Sequence, residues 1–272
     1  MAHVEAQDLG VRYPVLTASA RSLKNQILSR TTGGRIAGNS ARAVEVQALS
    51  QINFLFRPGD RIALIGHNGS GKSTLLRVLA QIYHPTEGRL LVQGRVAALF
   101  DASFGMDMDS TGYENIVLRG RYLGISRAAI EQQIEEIAAF SELGDFLKMP
   151  IRTYSAGMVA RLAFAISTTV DADILLIDEG VGAGDSAFMA KAQKRMQELI
   201  ERSPIVVLAS HDRKTITDFC TRGLVLQSGR LLFDGNVRQA YEHYDEIVGA
   251  AVAGEDAASG TVQARRAAGT GR

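Results

Sequence analysis

Three short stretches of the chain are apolar at nearly every position: "RIALIG" (61–66), "DILLID" (173–178) and "PIVVLAS" (204–210). Continuous apolar runs of this length, without alternation, predict strands buried on both faces and paired in parallel. Between them the apolar residues change to helical spacing. "TLLRVLAQI" follows the first strand, and Ile130, Ile134 and Ile137 recur after a predicted N-cap at Ser126, inside a helical stretch from Thr111 to Phe146. Strands alternating with helices predict an α/β fold with a parallel core. The helical stretch is expected to form a subdomain, about residues 102–168, inserted after the first strand-and-helix layer of a domain covering 1–248. No internal repeat is visible. The segment 249–272 is small, polar and aperiodic, and is expected to be a disordered tail.

Composition and charge narrow the partners. Thirty basic and 29 acidic residues leave a net charge of +1, so there is no bulk electrostatic case for nucleic acid. The single cysteine, Cys220, cannot form an internal disulfide, which suits a reducing compartment. The N-terminus "MAHVEAQDLG" lacks the layout of a signal peptide. No apolar run approaches the ~20 residues needed to span a bilayer, so work at a membrane requires another chain to do the spanning. Charge is uneven along the chain. Pro14 to Val44 holds Arg21, Lys24, Arg30, Arg35 and Arg42 and no acid. This basic insertion reads either as a solvated loop or as a surface that meets anionic lipid or a phosphorylated substrate.

The chemistry begins at "GHNGSGKST", Gly66 to Thr74, which fits G-x-x-x-x-G-K-[ST] between a strand and a helix. Gly69 and Gly71 let backbone N–H groups converge on a phosphate, and the helix start adds the positive end of its dipole. His67, Asn68, Ser70 and Thr74 complete the loop. Lys72 is expected to reach the β- and γ-phosphates, and Ser73 to ligate Mg²⁺. Asp178 emerges where the strand 174–177 ends and is expected to hold the metal through water. Glu179 is then the candidate general base for an attacking water. A nucleoside triphosphate is the ligand these residues imply.

With those motifs in place, "TYSAGM" acquires a meaning, since Ser155 lies 23 residues before Asp178. From about residue 3 to 245 the chain resembles the ATP-binding-cassette (ABC) ATPases, whose signature is usually Leu-Ser-Gly-Gly-Gln. Ser155, Ala156, Gly157 and Met158 keep the serine and the second glycine, and Arg161 falls where the family usually has arginine. The resemblance implies a RecA-like core, an antiparallel β subdomain and a helical subdomain. It also implies a homodimer that sandwiches two ATP molecules, each signature serine donating to the γ-phosphate held by the partner subunit. By the same resemblance Tyr13 stacks on adenine, Asp185 is the D-loop aspartate, and His211 is the switch histidine at the γ-phosphate. The family's usual Q-loop glutamine is replaced, at roughly Asp101, by an acid that could still ligate the metal.

"FGMDMDSTGYENIVLRG", "YSAGM", "DEGVGAGDSAF" and the insertion after Tyr13 resemble the branch that exports bacterial surface polysaccharides: O-antigen, capsule and teichoic acids. That resemblance implies a separate membrane permease, a lipid-linked glycan as cargo and a peripheral position on the cytoplasmic side of the inner membrane. Two alternatives are distinguishable. A nucleic-acid ATPase built on this cassette is expected to carry a long coiled coil or a second cassette, neither of which is present. An importer or drug exporter has the same ATPase, and the acidic Q-loop position and the insertion count against it. Ser155, Asp185 and His211 together disfavour a simple nucleotide kinase.

Overall fold

The computed structural model of the protein describes residues 2–15, 44–99, 105–178 and 186–249. Asp101, Glu179, Asp185, nearly all of the basic insertion and the tail from 250 onward lie outside the described residues.

Two sheets form the body. A three-stranded antiparallel sheet has the order β2-β1-β4, with β1 at His3–Val15, β2 at Val44–Phe56 and β4 at Glu87–Gln93. Val15 pairs with Val44, so the insertion leaves and re-enters the chain at adjacent backbone positions. The six-stranded sheet has the order β5-β6-β7-β3-β8-β9. Its strands are β3 (Arg61–Ile65), β5 (Val96–Leu99), β6 (Ile174–Ile177), β7 (Ile205–Ala209), β8 (Arg222–Gln227) and β9 (Arg230–Asn236). All its pairings are parallel except β8 with β9.

The three apolar runs are the centre of this sheet, and the alternation hidden in them assigns each residue a face. Ile62, Leu64, Leu176 and Val207 face a cluster shared with Phe56 and Leu9 of the antiparallel sheet and Leu75 of helix α1 (Lys72–Leu79). Ala63, Ile65, Leu175 and Val206 face the opposite layer. There they meet Leu199 of α5 (Ser186–Arg202), Ile216 of α6 (Arg213–Phe219) and Tyr241 of a C-terminal helix at 237–249. Burial on both faces explains the absence of polar positions in these strands.

Between β5 and β6 the chain forms a helical subdomain with its own core of Ile116, Ile130, Ile137, Leu147, Ile151 and Leu162. Its helices are α2 (Gly112–Tyr122), α3 (Arg127–Ser141) and α4 (Ala156–Ser167), with two short 3₁₀ turns before α4. Thr111 and Glu114 close a capping box on α2. Ser126 caps α3 by accepting from the Ala129 N–H, as its position predicts. The stretch is two helices and not one because Gly124, at φ +79°, turns the chain between them.

The loop entering α2 is pinned by Asn115, which is fully buried. Its side-chain oxygen accepts from the Asp107 N–H at 2.7 Å, and its amide donates to the carbonyls of Asp107, Ser110 and Thr111. Asn115→Ala leaves those groups unmatched, and we expect it to lower Tm by about 5–10 °C, measured by circular dichroism. A shift under about 1 °C would mean that water replaces the amide without loss. No helix among the described residues is long and apolar enough to cross a membrane.

Candidate nucleotide site

The glycine loop leaves β3 at Ile65 and ends in α1, whose N-cap is Gly71. Gly71 has φ +113°, a conformation that side chains rarely adopt, and it brings the chain into the first helical turn with its N–H groups exposed. At Gly66 the reason is close approach: an added Cβ would lie 2.3 Å from the Leu226 carbonyl oxygen and 2.6 Å from Ser70 Oγ. Lys72 Nζ arches back over the loop, donating to the Gly66 carbonyl at 2.5 Å and the His67 carbonyl at 3.1 Å. A positive charge is thereby fixed above a ring of backbone donors, which is the electrostatic arrangement that phosphate needs.

Two neighbouring strands deliver the remaining groups from the same edge of the sheet. Asp178 follows β6, and Ser73 Oγ donates to its Oδ2 at 2.9 Å. These two hard oxygens suit a hard cation that fills its other positions with water and phosphate oxygen. Among the described residues no group of three or more His, Cys, Asp or Glu side chains could hold a metal ion. His211 follows β7, and the next residue opens α6. Asp212 caps α6, accepting from the Thr215 hydroxyl and from the Lys214 and Thr215 N–H groups. Those bonds, the Thr215 hydroxyl first, hold its carboxyl below the usual carboxylate range.

Lys72, Ser73, Thr74, Asp178 and His211 line a single cleft of about 590 Å³, together with Asn68, Gly69 and Gly71. The other wall was not visible in the sequence. Val46, Gln47 and Ala48 of β2 and the Ser228-Gly229 turn between β8 and β9 complete it. The Gly229 N–H donates to the Ser70 carbonyl and the Ser50 N–H to the Gly229 carbonyl, so this turn ties the phosphate loop to the antiparallel sheet. Val46 is 48% exposed, so this wall offers an apolar side chain to the cleft.

Tyr13 is next to the cleft and does not line it. It pairs with Val46 across the strands, and its ring meets Tyr83 edge-on at 5.5 Å. Burial pushes its phenol above the ordinary tyrosine range, and the hydroxyl approaches Thr74 without a well-formed hydrogen bond.

The "YSAGM" stretch lies on the helical subdomain. Ser155 caps α4, its Oγ accepting from the Met158 N–H at 3.3 Å. The preceding Tyr154 donates its hydroxyl to the Phe146 carbonyl at 2.6 Å and anchors the turn, and burial raises its phenol as well. Ser155, Gly157, Met158 and Arg161 line a second concavity of about 450 Å³ with Glu142, Leu143 and Phe146. No residue lines both cavities. Within one chain, therefore, the structure groups Lys72, Ser73, Asp178 and His211 and leaves Ser155 and Gly157 apart.

A phosphate loop on a parallel sheet, with a carboxylate at the end of the neighbouring strand and an inserted helical subdomain, defines a P-loop nucleoside triphosphatase of the ATP-binding-cassette type. The ABC transporter family model matches residues 49–182. The chain is 48% identical to the O-antigen export system ATP-binding protein RfbE of Yersinia enterocolitica, over 82% of this chain and 93% of that protein. It is 39% identical to the O-antigen export system ATP-binding protein RfbB of Myxococcus xanthus, over 85% of this chain but only about half (52%) of that longer protein. Identity to the teichoic acids export ATP-binding protein TagH of Bacillus anthracis is 38%, over 74% and 36% of the two chains. A solved dimeric ATP-binding cassette in a post-hydrolysis state, bound to ADP and phosphate, matches at a TM-score of 0.62 and 20% identity, over 86% of this chain and 98% of that one. The chain belongs to the ABC transporter family, as an ATP-binding subunit whose ATPase activity is coupled to transport.

Proposed function

We propose that this chain is the ATP-hydrolysing subunit of an exporter that carries a lipid-linked, O-antigen-like surface polysaccharide across the bacterial cytoplasmic membrane. The observation that carries the reading is the 48% identity to an O-antigen export ATP-binding protein along 93% of that protein's length. A separate permease spans the membrane, and this subunit works at its cytoplasmic face.

In this reading ATP enters the cleft of Lys72 and Ser73, with its phosphates on the loop N–H groups and the Lys72 ammonium. Ser73 and Asp178 are the residues that hold Mg²⁺, with Asp101 as a further candidate; when bound, the ion neutralises phosphate charge. Tyr13, beside Val46, borders the adenine end. Ser155 and Gly157 lie in a different concavity from Lys72, which supports their serving the nucleotide of a second copy of the chain. Two subunits then close over two ATP molecules, with Asp185 at the boundary. Glu179 takes a proton from the attacking water, and His211 orients the γ-phosphate. Hydrolysis removes the group that bridges the subunits, and the loop from Asp101 to Tyr113 passes the opening to the permease.

Glu179→Gln tests cargo and direction together. Expressed in the native bacterium, it is expected to bind ATP, lose hydrolysis by about 10²-fold or more, and trap lipid-linked glycan in the cytoplasm while surface polysaccharide disappears. Normal surface glycan, with the variant assembled in the membrane, would transfer the proposal to another cargo.

A further inference from the structure

The helical subdomain carries Ser155 and Gly157, whereas α5 packs on the body of the protein through Leu199 and Ile200. The fully buried members of their cores are distinct, with the partly buried Leu123 and Ile125 packed against both. A third, small cluster of Phe164, Phe188 and Ala192, with Phe140 and Met196 packed against it, bridges them. Phe140 is near the end of α3, Phe164 is in α4 and Phe188 is in α5. Their ring centroids lie 6.0 Å (Phe140–Phe164), 5.8 Å (Phe140–Phe188) and 6.3 Å (Phe164–Phe188) apart.

Cations surround this aromatic group and reach across it. Lys191 Nζ of α5 lies 4.7 Å from the Phe140 ring centroid and donates to Glu142 Oε1 at 2.9 Å and to the Phe140 carbonyl at 3.3 Å. That carbonyl is at the negative end of α3, where a cation is favoured. Arg195, one turn further along α5, pairs with Glu136 at 2.5 Å, and its guanidinium lies 5.2 Å from the same ring centroid. Arg161 of α4 sits 4.8 Å from the Phe188 centroid. Ring packing alone allows one helix to slide on another, because dispersion is not directional. Two ion pairs, each from a different turn of α5 to a different turn of the α3 end, add directional contacts at two points of the joint.

We infer that Lys191 and Arg195 are positioning residues: they fasten the end of α3 to α5, and this joint sets the angle at which the helical subdomain presents Ser155 to the partner subunit. The inference rests on the proposal that Ser155 acts across a dimer. Neither residue lines the nucleotide cleft, so disturbing the joint changes the rate of hydrolysis and leaves ATP entry alone.

The test uses the purified full-length chain with Arg195→Glu, which sets two carboxylates against each other, and with the exchanged pair Glu136→Arg/Arg195→Glu. Arg195→Glu is expected to lower kcat for ATP about tenfold with KM within about twofold, and the exchanged pair to recover kcat to within about threefold of wild type. A kcat for Arg195→Glu within twofold of wild type overturns the inference, as does an exchanged pair that folds and stays as slow as the single variant. Should Arg195→Glu fail to fold, Arg195→Gln is read in its place, with about a threefold loss of kcat expected and none overturning the inference. Ser155→Ala, run in parallel, separates the two ideas. If Ser155→Ala hydrolyses ATP at the wild-type rate, the dimer reading falls and takes the inference with it. If Ser155→Ala is slow and Arg195→Glu is not, only the joint is refuted.

Discussion

Lys72→Ala is expected to weaken ATP binding by about 10²–10³-fold, with the fold intact. The Lys72 ammonium is held over the phosphate loop by the Gly66 and His67 carbonyls at 2.5 and 3.1 Å. Among the described residues of the cleft wall it is the one lysine or arginine, and backbone N–H groups, the start of α1 and His211 are the other protein groups placed to attract phosphate. Each charge-assisted hydrogen bond to a phosphate oxygen contributes about 1.5–3 kcal/mol, so losing two of them corresponds to about 10²–10⁴-fold, and the expected range is the lower part of that span. Stability changes little by comparison, since the His67 carbonyl is exposed, the Gly66 carbonyl is only part-buried, and water from the open cleft can take the place of the ammonium. Equilibrium titration with a fluorescent ATP analogue, alongside a thermal melt, reads both quantities. A Kd within threefold of wild type would mean that the backbone cradle alone carries the affinity and that Lys72 has another role.

The parts of the fold legible in the sequence are those specified by neighbouring residues. The buried strands β3, β6 and β7 coincide with the three apolar runs because a strand covered on both faces has no polar position to lose. The loop from Gly66 to Thr74 declares itself because its glycines and its lysine must act within a few residues of each other. Ser126 announces α3 and Ser155 announces α4 for the same reason, since a cap bonds to the next turn.

What remained hidden depends on residues far apart in the chain. Val46 to Ala48 meet Ser228 and Gly229 only once β2 has paired with β1 and the β8–β9 turn has closed on Ser70. Nothing local to either segment signals a wall of a nucleotide cleft. Phe140, Phe164 and Phe188 are 24 residues apart in succession, on three helices, and each alone reads as an ordinary core aromatic. Tyr13 shows the limit of reasoning by position. Its strand register puts it beside the cleft, while its ring packs on Tyr83, an arrangement that only the tertiary fold determines.

The largest effect on hydrolysis with the least effect on the fold is expected from Gly157→Val. Among the described residues an added Cβ at Gly157 meets nothing beyond its own helix backbone nearer than Ser155 Oγ at 3.9 Å, so packing against them does not require glycine there. Glycine in a helix is in fact less favourable than most residues by up to about 1 kcal/mol, which makes its presence in the first turn of α4 a cost to the isolated subunit. The proposed dimer accounts for it: in that reading the open face above Ser155 receives the γ-phosphate held by the partner subunit. Gly157→Val is therefore expected to keep Tm within about 2 °C, bind ATP normally in its own cleft, and lose hydrolysis by about 10²-fold or more. Mixing it with Lys72→Ala distinguishes action across the dimer from action within one chain. In a mixed dimer, one composite site combines the intact Lys72 of the first subunit with the intact Gly157 of the second. Equal amounts of the two inactive variants should then recover activity, up to roughly a quarter of wild type if subunits pair at random and the sites act independently. If Lys72 and Gly157 instead served the same subunit's nucleotide, no intact site could form in any pairing, and the mixture would stay as inactive as its components.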